Sequence, residues 1–374
     1  MNYIRIFINL LAVALFLALA PAALASTWYV DGVNGNDQNN CKSWKDACKT
    51  IGHAISLASS GDTIKVAAAT YTENLNIGTS LSIIGANAST TIVDGGGVNT
   101  VFTINSSNAT LSNLTIRNGY GYNGGGIYTS GTLTVTHCTV TANRSHGPNG
   151  GGGGIFNNND DAFGMLTISD STITANASAA NGGGIYNGAT LIIDRSVVSQ
   201  NKAKGDGGGI LDATFVTNST ITGNSAMLGG GLAGGQLVSN STVSGNRASI
   251  SGGNVWYPGT IQNSILANAA KGGNCGGTVT SNGYNLSDDN TCNLNGPGDL
   301  NDTKAKLGKL GNYGGPTQTI PEMLNSPTVD AGNPSGCTDG NGNPLTTDQR
   351  GYPRPGAHKT DKRCDMGAFE RQTD

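Results

Sequence analysis

Charge is scarce in this sequence: Asp, Glu, Lys and Arg make up only 12% of 374 residues, about half the share of an ordinary soluble protein. The 21 basic and 24 acidic side chains nearly cancel, so no field is available to gather nucleic acid, and none is expected as a partner. Long apolar runs are missing as well. Beyond residue 25 nothing approaches the roughly 18 consecutive apolar residues of a membrane span, so no span is expected. The four histidines, His53, His137, His146 and His358, lie in different parts of the chain, and no pair has the spacing of metal ligands.

What the chain has in excess is glycine, 58 residues, about twice the usual share, which asks for many turns and few long helices. Short β-branched clusters recur throughout, so a core can still be buried. The first 25 residues read as a secretory signal. Arg5 precedes an apolar run from Ile6 to Ala20, and Ala23-Leu24-Ala25 stands before Ser26, which predicts cleavage after Ala25 and a secreted, extracellular or cell-surface protein. All seven cysteines follow that point, as an oxidising compartment allows. Proximity suggests the pairs Cys41/Cys48, Cys275/Cys292 and Cys337/Cys364. Cys138, inside a repeat whose other copies carry Ser, reads as a small buried residue.

A repeat runs from about residue 111 to 268 with three apolar beats. The first is a glycine cluster followed by an apolar pair, as in Gly124-Gly125-Gly126-Ile127-Tyr128 and Gly182-Gly183-Gly184-Ile185-Tyr186. The second is a short strand such as Leu166-Thr167-Ile168, and the third reads Asp170-Ser171-Thr172-Ile173-Thr174-Ala175-Asn176. The closing asparagines, Asn143, Asn176, Asn201, Asn224, Asn246 and Asn268, are 33, 25, 23, 22 and 22 residues apart. Three short alternating strands per 22 residues wind one coil, and coils stack strand over strand. The expected fold is therefore all-β, a single-stranded right-handed parallel β-helix. Its glycines mark a tight corner, and its six asparagines form a hydrogen-bonded ladder along another. The long segments 144–149 and 157–163 are loops, where a function carried by loops would concentrate.

An open stack needs its ends covered. Residues 26–78 read as an N-terminal cap and first strands, with Ile51, Ala54, Ile55 and Ala58 on one helical face, residues 79–275 as the coils, and 276–374 as a disulfide-stapled C-terminal cap. In that cap Arg350 and Arg354 cluster with Asp348, Asp365 and Glu370, which reads as an ion-pair network holding the cap rather than a substrate site.

The unit from Thr172 to Tyr186, with Asn176 and Gly182-Gly183-Gly184-Ile185, resembles the repeat of chlamydial polymorphic outer membrane proteins, a likeness that implies a surface β-helix used for adhesion. Those proteins end in a membrane barrel, for which this chain has no room. The stretch from Gly283-Tyr284-Asn285-Leu286 through Leu310-Gly311-Asn312-Tyr313-Gly314-Gly315-Pro316, Ser326-Pro327 and Asp330-Ala331-Gly332 to Glu370 resembles the choice-of-anchor Q domain. That resemblance implies a bacterial right-handed β-helix of the pectin lyase-like superfamily, here without the anchoring tail that often follows.

Such helices often cleave polysaccharides, with two carboxylates across the glycosidic bond or with a base beside calcium-binding carboxylates. The repeats hold few such groups: Asp160, Asp161, Asp170, Asp194, Arg195, Lys202, Lys204, Asp206 and Asp212. Asp170 and Asp194 read as equivalent positions, followed by Asn218 and Asn240, and so as a polar corner. The Gly-His-Gly of polygalacturonase-like enzymes is missing. Calcium has one candidate, Asp339, Asn341 and Asn343 at alternate positions, although the downstream bidentate Glu is absent and a plain turn accounts for the pattern. No other cofactor is expected. Tyr128, Phe156, Tyr186 and Trp256 share one repeat position. Facing out, they would form a line of rings able to stack on sugars; facing in, they would be core stacks, the favoured reading because Leu211 and Ala233 interrupt the line. The expectation is a monomeric, non-catalytic secreted or cell-surface protein that presents a long face to polysaccharide or a cell-surface ligand. The alternatives are a polysaccharide lyase or glycoside hydrolase, and a plain structural spacer.

Overall fold

A computed structural model describes residues 25–105, 107–158, 164–339, 342–356 and 363–372. Residues 1–24 of the expected leader lie outside these, as do Asp160, Asp161, Asn341 and His358.

Every pairing between strands is parallel, and the chain winds a right-handed parallel β-helix of about nine turns, with one short helix among the described residues. Like residues stack on like. Ile127, Ile155, Ile185, Ile210, Leu232 and Val255 are register partners in successive coils, and each is fully buried. Val140, Ile173, Val198, Ile221, Val243 and Leu266 form a second inner column. These side chains point inward because alternation along a strand sends every second residue to the core. Truncating one, Ile173→Ala for example, costs about 2–5 kcal/mol through the cavity it leaves.

The coils between Phe102 and Ala203 have four strands each rather than the expected three, and in the next two coils single strands, Ile210–Thr217 and Leu232–Ser239, run the first two together. After the ladder asparagine comes a strand as short as two residues, as in Arg144–Ser145, Ala177–Ser178 and Lys202–Ala203, within a six-stranded sheet that runs from Tyr120–Gly121 to Arg247–Ser251. Two residues are too few to display a period, so this strand leaves no pattern in the sequence.

Five of the six expected ladder asparagines hydrogen-bond in series. Asn143 Nδ2 donates to Asn176 Oδ1, Asn176 to Asn201, Asn201 to Asn224 and Asn224 to Asn246, at 2.9–3.0 Å. Asn268 is not a rung. Ser244 pairs with Ala267, so Asn268 falls opposite Gly245, in the left-handed corner position (φ 54°), and Ala269 stands where the amide should be. The missing amide arrives from the other side of the coil: Asn246 Nδ2 donates to Asn254 Oδ1, and Asn254 Nδ2 donates to Asn274 Oδ1. Elsewhere the residue matching Asn254 is the third glycine of the cluster, and the reason is spatial. A Cβ on Gly184 would lie 3.0 Å from the Asn201 amide and 2.6 Å from the Gly209 carbonyl oxygen. The first glycine is needed for conformation, since Gly182 has φ 60°.

A serine column runs beside the core. The backbone N–H groups of Ser171, Ser196, Ser219 and Ser241 donate to the hydroxyl of the serine one coil on. Cys138 occupies the first place in this column, with its N–H donating to Ser171 Oγ, and its thiol is buried.

At the N-terminus Ile51–Leu57 is helical, with Thr50 as N-cap and the Glu73 carboxylate accepting from the Ile51 and Gly52 N–H groups; Ile51 and Ala54 are buried against the first coils. Coil strands persist to Leu286–Ser287, past the expected boundary at 275. Residues 288–303 continue onto the last coil, where Leu300 bridges Leu286 in parallel and Leu294 joins the core, and the segment after them folds back along the flank of the helix. Asn218 Nδ2 donates to the Thr347 carbonyl, Asn240 Nδ2 to the Thr338 carbonyl, and the Ala368 N–H to Thr242 Oγ1. Three disulfides join Cys41 to Cys48, Cys275 to Cys292 and Cys337 to Cys364. Arg350 pairs with Asp348 at 2.7 Å and lies 3.5 Å over the Phe369 ring, while Arg354 pairs with Glu370 at 3.2 Å with both side chains wholly buried.

Candidate functional site

The aromatic line faces outward, contrary to the inward reading favoured from sequence. Its strand neighbours Ile127, Ile155 and Ile185 fill the core, so the rings stand on the opposite face. Tyr128 and Phe156 stack at 5.7 Å, Phe156 and Tyr186 at 4.7 Å, both near parallel. Because the faces are spent on one another, Phe156 is only 8% exposed, and Asn158 Nδ2 donates to the Tyr128 hydroxyl. Trp256 stands apart, with Leu211 and Ala233 between it and Tyr186 in register and its ring edge-on to Tyr257. A cavity of about 350 Å³ adjoins Tyr186, lined also by Asn187, Asp212 and Gln236. Burial pushes the Asp212 carboxyl above its usual range. One carboxylate does not span a glycosidic bond with a partner.

The polar corner differs in register from the sequence reading. Ser169 pairs with Asp194, which sets Asp170 opposite Arg195, and Asn218 and Asn240 follow. Arg195 clamps Asp170 with Nε at 2.9 Å and Nη2 at 2.8 Å, and its Nη1 bonds Asp194. Burial raises the Asp194 carboxyl, with Arg195 opposing and Asp170 adding to the shift. A guanidinium held by two carboxylates is a structural clamp that leaves neither a free base nor a free acid pair. In the calcium candidate, Asp339 Oδ1 accepts from the Asn343 N–H at 2.8 Å and Oδ2 from Asn343 Nδ2 at 3.0 Å, so the turn closes on itself. Asn341 lies outside the described residues. Among the described residues one trio of possible metal ligands converges, Cys41, Cys48 and His53, and its two cysteines are disulfide-bonded.

The face with the most accessible chemistry is the fourth, short-stranded sheet. Its outward column runs Tyr120, Arg144, Ala177, Lys202, Ser225, Arg247 and Lys271 in register. The inward partners Ser145, Ser178 and Ala203 are buried, which turns the cations to solvent. An open groove of about 410 Å³ is lined by Tyr120, Arg144, His146, Ala177, Ala179, Lys202 and Lys204, with Ser145 and Ser178 at its floor, and holds no acidic residue. Among the described residues, none of Arg144, Lys202, Lys204, Arg247 and Lys271 forms a salt bridge. At one end Tyr120 stacks on His146 at 4.6 Å, with Tyr122 edge-on at 5.7 Å. A signal for this strip exists in the sequence: a cation directly follows the ladder asparagine in Asn143-Arg144, Asn201-Lys202 and Asn246-Arg247.

The right-handed parallel β-helix fold is shared with solved structures. The crystal structure of pectate lyase Pel9A superposes on it with a TM-score of 0.56 and 16% identity, covering 94% of this chain and 98% of that one. More distant likenesses are GH136 lacto-N-biosidase from Eubacterium ramulus (TM-score 0.43, 13% identity, 70% of this chain and 60% of that one) and pectin methylesterase PemA from Erwinia chrysanthemi (0.39, 14%, 74% and 82%). No family profile matches the chain, and no curated protein matches it by sequence.

Proposed function

We propose that this protein is a non-catalytic, exported glycan-binding β-helix that holds acidic polysaccharide, free or displayed on a cell surface, along the strip from Arg144 to Lys271. One observation carries the reading: four cations in a single register column, none salt-bridged among the described residues, beside a groove without acidic lining. Cations left unpaired on a chain so poor in charge are available to a polyanion, and they act together because the coils hold them in line. Tyr120 and His146 add a ring surface on which a sugar can stack. The disulfides favour an oxidising compartment, and the expected leader would supply the route to it.

The test is binding of the purified full chain to immobilised acidic and neutral polysaccharides over a range of ionic strength, with the soluble fraction assayed for unsaturated or reducing-end products. Binding to the acidic members alone, weakening as salt rises, with no products released, is the expected result. Product release would replace this reading with the lyase or hydrolase that the sequence leaves open. A complete lack of binding would leave the spacer.

A further inference from the structure

The cations of the strip are not spread evenly along the axis; they alternate. One coil presents Arg144 with His146, the next Ala177 with Ala179, the next Lys202 with Lys204, the next Ser225 with Met227, and the next Arg247. Charged and uncharged coils take turns, and in the 202 coil a second cation, Lys204, stands two residues after the first. Lys271, one coil beyond Arg247, ends the alternation.

From this we infer that the strip is matched to a linear glycan that lies parallel to the coil axis and carries one acidic group per disaccharide, with an uncharged sugar in between. The inference rests on the acidic-glycan reading above and narrows it. Coils rise about 4.8 Å each, so charged coils recur at about 10 Å. A pyranose in an extended chain is about as long as one coil is high, so successive sugars meet successive coils. Acidic sugars then fall at the 144, 202 and 247 coils. Uncharged sugars fall over Ala177 and Ala179 and over Ser225 and Met227, whose small or apolar side chains leave room for a hydroxymethyl or acetamido group. A polymer with a carboxylate on every sugar fits worse, because half of its charges would face coils that offer no cation, and a charge brought against protein without a partner loses hydration for nothing. Tyr120, stacked on His146 at one end of the groove, supplies a platform for the sugar beyond Arg144. From Arg144 to Lys271 is five coil steps, about 24 Å, so affinity grows with chain length until the oligomer spans them.

The experiment titrates the full chain, at low salt, with hyaluronan oligosaccharides, which alternate uronate with N-acetylhexosamine, and with oligogalacturonates of the same number of sugars. The hyaluronan oligomer binds several-fold more tightly despite carrying half the charge. Each exposed cation–carboxylate contact is worth a factor of about 1.5–5 in affinity. The double substitution Lys202→Ala, Arg247→Ala therefore weakens hyaluronan binding at least about twofold. The double substitution Ala177→Lys, Ser225→Lys, which charges the neutral coils at exposed or half-exposed positions, reverses the preference in favour of oligogalacturonate. Circular dichroism checks that each variant is folded. Tighter binding of oligogalacturonate to the unmodified protein, or a preference that the Ala177→Lys, Ser225→Lys pair does not move, overturns the alternation while the acidic-glycan reading stands. If neither oligomer nor any longer acidic polymer binds, that reading falls as well.

Discussion

Replacing Asn201 by alanine probes the ladder at mid-stack. Asn201 Oδ1 accepts from the backbone N–H and the side-chain amide of Asn176, each at 3.0 Å, and its Nδ2 donates to the Ile173 carbonyl at 2.9 Å and to Asn224 Oδ1 at 3.0 Å. Asn224 keeps a donor, since the Asn201 backbone N–H still reaches its Oδ1. The Asn176 N–H loses its acceptor, and the Ile173 carbonyl loses the amide. A stranded buried polar group costs about 1–3 kcal/mol, so Asn201→Ala is expected to cost about 2–6 kcal/mol. Asn268→Gly is the matched control, at an exposed left-handed position that glycine occupies freely, and is expected within about 1 kcal/mol of the parent. Urea unfolding followed by far-UV circular dichroism measures both. A sharper test copies the exchange between Ala269 and Asn254 onto the middle of the stack as Asn201→Ala with Gly184→Asn. Each single change is destabilising, the second because its Cβ meets the Gly209 carbonyl oxygen and the Asn201 amide; the pair removes the amide contact and restores a side-chain amide to the ladder, and should recover at least about 1 kcal/mol relative to their sum. Equal losses for Asn201→Ala and Asn268→Gly, or strict additivity in the cycle, would refute the assignment of rungs.

Three further outcomes follow from buried groups. Among the described residues neither oxygen of the buried Glu322 carboxyl has a hydrogen-bond partner, and burial, aided by Asp365, holds its pKa well above 4.5. Between the unfolded and folded pKa the folded state keeps the extra proton, so stability falls as pH rises from about 4.5 toward neutrality, by at most about 1.4 kcal/mol per pH unit. Glu322→Gln should remove that slope and raise the melting temperature at pH 7, and an unchanged pH profile would count against it. The Cys138 thiol, pushed up to about 12 by burial, should resist labelling by a thiol reagent until the protein unfolds, and Cys138→Ser should keep stability within about 1 kcal/mol because the serine column already uses a hydroxyl there. Arg354→Met removes the guanidinium paired with the buried Glu370 carboxylate and the donors to Asn218 Oδ1 and the Gly367 carbonyl; a loss of about 3–5 kcal/mol is expected, and protease sensitivity should appear first in the C-terminal segment.

The winding was legible because it is written in side chains that must alternate. Ile127, Ile155 and Ile185 recur with glycines ahead of them, and a stacked coil buries them all. Asn268 deceived because it stands 22 residues after Asn246 in a coil of 23: Ser264 to Asn268 spans the same four positions as Ser241 to Gly245, so the asparagine takes the left-handed corner and Ala269 the rung, and spacing alone does not separate a rung from its neighbour. The aromatic line was misdirected by its interruption at Leu211 and Ala233, whereas the deciding signal was the inward isoleucine directly before each ring. Asp170 and Asp194 looked equivalent because each opens a third beat, yet Arg195 is the residue in register with Asp170. The basic strip was hidden by the brevity of its strands. Arg144 read as loop and Lys202 as an isolated charge, and only the fold lines them up.

Which face of such a helix can bind is decided by what covers the others. The C-terminal segment lies along the sheet that contains Thr220 and Thr242, where Gln349 Nε2 reaches the Ser196 carbonyl and Thr220 Oγ1 donates to Gln349 Oε1, so the later coils are closed there. The column of Tyr128, Phe156 and Tyr186 uses its ring faces internally. At the corner Arg195 is engaged by Asp170 and Asp194, and the Thr317 hydroxyl donates to the Arg195 carbonyl. The short-stranded sheet differs on each count: among the described residues no segment is hydrogen-bonded across Arg144 and Lys202, and its groove lining holds no carboxylate. Its strands are short because the chain leaves the ladder asparagine and turns almost at once into the glycine corner, and that brevity keeps the surface narrow. A narrow, straight, positively charged track of this kind accommodates a single extended polyanion better than a folded protein partner, whose interface would need a broad apolar centre that these coils do not offer.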